Sequence, residues 1–150
     1  MIVKFTVRAD QGEPSGFDRG DIVCSGPLGE ASSVGQVPDQ GMMLYLSVPE
    51  LLDSLAGLLT RRSVSASFAA IDSSFRLDFR TTRKTITVKG GSGPVAHVSH
   101  AELAEAVLSA AEELASRHLA PPHPEHHASD DYLAALKRFQ LVTAPIREPK

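Results

Sequence analysis

Between Ser63 and Lys89 apolar and polar residues alternate in three consecutive runs, and this limits the possible folds more than any other feature of the chain. Val64, Ala66, Phe68 and Ala70 alternate with Ser63, Ser65, Ser67 and Ala69. Phe75, Leu77 and Phe79 alternate with Arg76, Asp78 and Arg80, and Ile86 and Val88 alternate with Thr85, Thr87 and Lys89. A period of two with one apolar side specifies antiparallel strands, buried on one face and wet on the other. Asp72–Ser74 and Thr82–Lys84 read as the turns, and Gly90–Pro94 as a turn before a short strand at Val95–Val98. A further alternating strand runs from Ile2 to Ala9.

Helical spacing appears in three places. Ser47, with Glu50 three residues on, forms a capping pair, and Pro49 suits a first turn because its missing N–H has no intrahelical partner there. Leu51, Leu52, Leu55, Leu58 and Leu59 then form one stripe, ending near Arg61–Arg62. Ser99 and Glu102 repeat the capping pair before Leu103, Val107, Ala110, Ala111 and Leu114, and this helix ends near His118. Ser129–Asp131 opens a last helix with Tyr132, Leu133, Leu136 and Phe139 inward. Met42–Leu46 is apolar on both parities and reads as a buried strand. The stretch 10–41 is rich in Gly and Pro and reads as a long loop holding one short strand, Asp21–Cys24.

Strands grouped apart from helices predict an α+β fold, a mainly antiparallel sheet of about six or seven strands with two or three helices on one face. A chain of 150 residues holds one such domain, placed at 1–143, with 144–150 as a flexible C-terminal tail. No apolar run approaches the roughly 20 residues of a membrane span, and the N-terminus lacks the apolar stretch of a signal peptide, so a cytoplasmic protein is expected. The single cysteine, Cys24, excludes an intrachain disulfide framework and a cysteine-based zinc site. The formal net charge of −3 argues against nucleic acid or anionic membranes as general partners.

Three places carry chemistry. The first is the polar side of the alternating strands. Arg76, Asp78 and Arg80 share a parity, Lys89 should lie beside them, and Arg83 and Lys84 occupy the turn. These six residues are the candidate partner-binding set, suited to carboxylates on another protein. The second is His118, His123, His126 and His127, which offer imidazoles to a metal but lack the helical spacing that would hold two on one face. His97 and His100 read as surface or capping neighbours. The third is the segregation of acids: residues 10–50 and 99–131 are acidic, which would suit a complementary partner or a second copy of the chain. Neither Gly-x-Ser-x-Gly nor Ser-x-x-Lys occurs, and Gly90–Gly93 lacks the ending of a phosphate loop, so no catalytic residue is assigned and no cofactor is called for.

Pro38–Met43, Leu46–Asp53, Phe68 and Asp72–Leu77 resemble segments of small actinobacterial proteins to which no activity is assigned. That resemblance implies an α+β layout similar in size to immunity proteins of toxin systems, and carries no catalytic residue. The expected function is therefore a non-enzymatic protein-binding module, immunity- or antitoxin-like, docking through its exposed sheet face or the 10–41 loop. The partner would be another protein, a toxin or a second copy. The alternatives are a metal-binding protein using the histidine cluster and a small hydrolase with a site under the 10–41 loop.

Overall fold

The computed structural model describes residues 1–9, 11, 18–119 and 127–147. Among these residues eight strands and three helices follow one another as β1 (Ile2–Val7), β2 (Arg19–Gly26), β3 (Gly29–Ser32), β4 (Met42–Met43), α1 (Leu44–Leu59), β5 (Ser65–Ala69), β6 (Arg76–Thr82), β7 (Thr85–Gly90), β8 (Gly93–Val98), α2 (His100–His118) and α3 (His127–Arg147). The fold is α+β, as expected, but the strands form two four-stranded antiparallel sheets rather than one sheet of six or seven. In the first sheet β2 is central, flanked by β1 and β3, with β4 pairing to its start. The second is a meander in the order β5-β6-β7-β8. The Gly/Pro-rich N-terminal third concealed the extra sheet. Within 10–41 only Asp21–Cys24 stands out locally, yet β2 spans eight residues, paired on both sides, and turns back at Pro27-Leu28 into β3.

The two sheets meet at a seam between β3 and β8. The Leu28 N–H donates to the Val95 carbonyl at 3.0 Å. Backbone crowds so closely there that a Cβ on Gly90 would stand 2.4 Å from that of Ala31, and one on Gly26 would stand 2.7 Å from the Val95 carbonyl. Glycine is required at both positions for lack of space.

The inner side of the second sheet, Phe68, Leu77, Phe79, Ile86 and Val88, is buried in the same core as the leucine stripe of α1. Each fully buried side chain of this size stabilises the fold by about 1.5–3 kcal/mol relative to exposure. The three helices are stitched at Tyr132 of α3. Its hydroxyl donates to the Ala111 carbonyl of α2 at 2.6 Å, and its ring meets Tyr45 of α1 edge to face at 6.1 Å.

Two helix boundaries differ from expectation. Helix α1 begins at Leu44, so Met42–Leu46 is a strand only at Met42–Met43, and Ser47 does not cap the helix. Burial decides this, because Leu44, Tyr45 and Val48 are all in the core. The Ser47 hydroxyl instead accepts the Ile71 N–H at 2.9 Å, fastening the end of β5 to α1. Pro49 then lies inside the helix, where its missing N–H leaves the Tyr45 carbonyl without its helical donor. At the other end of the chain, α3 continues past residue 143 to Arg147, with Ile146 packed on the core, so the predicted tail is helical over 144–147. Helix α2 matches the reading: Ser99 Oγ accepts the Glu102 N–H at 3.0 Å and the helix ends at His118.

Candidate functional site

The outer face of the β5–β8 sheet is set by strand register. Asp78 lies between Ser67 and Lys89, and Arg80 lies between Ser65 and Thr87, which in turn pairs with His97. Ala69 is opposite Arg76. Because side chains alternate across a strand, burying Phe75, Leu77 and Phe79 sends Arg76, Asp78 and Arg80 into solvent together. Lys89 is exposed beside them, and Arg83 and Lys84 form the two-residue loop joining β6 to β7.

Two hydrogen bonds organise this face. The Ser67 hydroxyl donates to Asp78 Oδ1 at 2.8 Å, and Thr87 Oγ1 lies 3.0 Å from His97 Nδ1. Between them is a shallow concavity of about 390 Å³, lined by Ser65, Ser67, Asp78, Arg80, Thr87 and Lys89. Arg76 faces a second concavity of about 440 Å³ bordered by Gln36 and Gln40 of the loop after β3.

Some basic residues are in ion pairs and others, among them Lys4, Arg61, Arg62, Lys137 and Arg147, are in none among the described residues. Arg8, Arg19, Arg117 and Arg138 each have a carboxylate partner. Among the described residues none of Arg76, Arg80, Arg83, Lys84 and Lys89 is in an ion pair. Asp78, the single acid among them, is occupied by Ser67. The face therefore carries uncompensated positive charge on a chain whose net charge is negative.

Among the described residues of the loop expected at 10–41, 19–32 form the β2–β3 hairpin and the irregular remainder is chiefly 33–41. Arg8 holds that segment. Its Nε and Nη2 donate to the Asp21 carboxylate at 3.0 and 3.1 Å, and its Nη1 and Nη2 donate to Asp39 at 2.9 and 2.8 Å. Asp39 also accepts the Gly41 N–H, and the Ser33 hydroxyl donates to Asp21. Arg8 and the Gly41 N–H hold the Asp39 carboxyl well below the usual carboxylate range. At Asp21 burial pushes the other way, yet the bonds from Arg8 and Ser33 prevail and its pKa is lowered. Arg19 extends the clamp to the Gly41 carbonyl and pairs with Asp72. Every carboxylate in this cluster is matched by a cation or a hydroxyl, which fits a structural fastening. Sequence reasoning missed it because its members lie far apart in the chain.

Of the histidine set, only His118 has a described side chain. His118 lies at the end of α2, lining a cleft with Lys4, Phe5 and Glu113. His123 and His126, and the side chain of His127, lie outside the described residues. Among the described residues no group of three His, Cys, Asp or Glu side chains is placed to hold a metal ion. His97 is exposed as expected, but His100 is buried in the first turn of α2, and its Nε2 has no hydrogen-bond partner among the described residues. Burial, with the nearby Arg61, pulls its pKa down. Cys24 is buried and its thiol is pushed up to about 12, leaving it inert at neutral pH.

What fold and surface define is an α+β protein of two antiparallel sheets and three helices with one open, positively charged sheet face. No protein family, curated protein or solved structure matches the chain. No helix among the described residues is long and apolar enough to cross a membrane.

Proposed function

We propose that this chain is a non-enzymatic binding module that docks an acidic protein on the outer face of its β5–β8 sheet. The observation that carries the reading is the cluster of Arg76, Arg80, Arg83, Lys84 and Lys89 on one sheet face and its turn, none of them in an ion pair among the described residues. Charge left uncompensated on one rigid sheet suits a partner that brings the carboxylates. Protein is favoured over nucleic acid because the outer positions of β5–β8 carry no Phe, Tyr or Trp on which a base could stack, and His97 is the single aromatic ring among them. The 33–41 loop borders Arg76, so sheet face and loop form one contact region. Val37 of this loop is 96% exposed and offers an apolar contact. An immunity- or antitoxin-like protein of an actinobacterium, neutralising a toxin inside the cytoplasm, is the sharpest form of this reading.

The test compares capture of acidic proteins from cell extract by the wild type and by the Arg76→Glu/Arg80→Glu double variant. Both substitutions lie on the solvent side, so thermal stability should be unchanged while the captured acidic partner is lost. Capture by the wild type should also weaken as salt rises. A partner retained equally by both proteins overturns the assignment.

A further inference from the structure

The second sheet has an open edge as well as an open face. Among the described residues, strand β5 pairs with β6 alone. The Thr81 N–H donates to the Val64 carbonyl and the Ala70 N–H donates to the Phe75 carbonyl. With the register of Ser65 opposite Arg80, these bonds place Val64, Ala66, Phe68 and Ala70 in the pairs that bond to β6. The backbone groups of Ser65, Ser67 and Ala69 consequently point away from the sheet. All three residues are exposed, and among the described residues nothing bonds their N–H or C=O groups. Just beyond them the edge closes: Ile71 receives the Met43 N–H on its carbonyl and gives its own N–H to Ser47.

Natural sheets blunt such edges with charge, proline or a bulge. Over Ser63–Ala70 the sequence is Ser-Val-Ser-Ala-Ser-Phe-Ala-Ala, with none of these. Its small outer side chains also leave a low step beside the arginines. A side chain from an added strand can reach across Ser65 to Arg80 and across Ala69 to Arg76, because neighbouring strands are only about 4.8 Å apart. The middle position differs, since Ser67 is backed by Asp78 and a carboxylate there would be repelled.

We propose that β5 receives an extended segment of the acidic partner as an added strand, with carboxylates opposite Ser65 and Ala69 and a neutral residue opposite Ser67. Backbone bonds to Ser65, Ser67 and Ala69 supply the docking, and Arg76 and Arg80 supply the selection for acids. This rests on the sheet face being the binding region, and adds the mode of binding and the pattern recognised.

The probe is a soluble peptide containing Glu-Val-Thr-Val-Glu, measured by titration and by amide exchange. Saturable binding with new protection of the Ser65, Ser67 and Ala69 amides is expected, and a Lys-Val-Thr-Val-Lys peptide should not bind. N-methylation of the central peptide residue should weaken binding at least about tenfold, since it removes the donor facing Ser67. Ser67→Pro should do the same without breaking the β5–β6 ladder, because the lost N–H points outward. The N-methylated peptide makes the same test on unaltered protein, should that variant fold poorly. The Arg76→Glu/Arg80→Glu variant should exchange the preference to the lysine peptide. Equal binding of the N-methylated peptide, or no amide protection, overturns the added strand. If Ser67→Pro leaves capture of an acidic partner intact while the double charge reversal abolishes it, strand addition fails and the face reading survives. A dimer dispersed by Ser67→Pro, in place of peptide binding, assigns the edge to a second copy and overturns the proposed occupant.

Discussion

At the scale of single residues, parity along a strand explains most of what the chain exposes. Alternate positions of β6 are Arg76, Asp78 and Arg80 outside, Leu77 and Phe79 inside. Where a polar residue falls on the inner parity, it costs stability unless it is bonded. Thr81 continues the inner parity of Leu77 and Phe79, and its hydroxyl is buried with no hydrogen-bond partner among the described residues. An unsatisfied buried hydroxyl costs about 1–3 kcal/mol. Thr81→Val keeps the shape and removes that cost, so chemical denaturation should show a gain of about 1 kcal/mol, with a rise in melting temperature of roughly 2–4 °C. A loss of stability would mean the hydroxyl has a partner. Arg8 is the opposite case, a cation whose donors are shared between two carboxylates, and neither Arg8 nor Asp39 stands out from its neighbours in the sequence.

At the scale of elements, caps and turns carry the local signals, and some are made by unexpected residues. Helix α1 ends in a reverse turn in which the Arg61 N–H bonds the Leu58 carbonyl and the Arg62 N–H bonds the Gly57 carbonyl. This motif normally places glycine where Arg61 stands, at φ 64°. A side chain in that conformation costs about 1–2 kcal/mol, while glycine adds about 0.5–1 kcal/mol of unfolded-state entropy. Arg61→Gly should therefore stabilise the protein by up to about 1 kcal/mol, seen as a higher denaturation midpoint with an unchanged slope. Of the helices, α2 was fully legible because Ser99 and Glu102 act within one turn. The pair Ser47 and Glu50 has the same spacing, yet Ser47 bonds Ile71 instead, twenty-four positions away in sequence. A capping pattern records what a serine can do, and the partner it takes depends on what packs beside it.

At the scale of the whole molecule, the two sheets depend on their seam. With Gly90 against Ala31, Gly90→Ala forces the strands apart, and overpacking of this kind costs on the order of 1–3 kcal/mol. Ala31→Gly should restore part of that loss in the double variant, so that the two changes are not additive in denaturation measurements. Strict additivity would show that the seam can relax by another route. The second sheet hangs on this contact and on the shared core, which hold its outer face in place. Charge differs between the sheets: Asp21 of the first sheet and Asp39 of its loop are taken up by Arg8, whereas the second sheet turns its cations outward.

The sequence by itself determined the α+β class, the strands of the second sheet, which of their residues are outside, and the start and end of α2. All of these depend on periodicity or on partners within a turn, and both are properties of neighbours in the chain. Tertiary structure alone decided that the strands divide into two sheets, that α1 starts at Leu44, that Arg8 joins Asp21 to Asp39, and that β5 has β6 as its one neighbour among the described residues. Each of these depends on pairing between distant segments. Such pairing is chosen by the burial and hydrogen bonding of the folded whole, which no local pattern encodes.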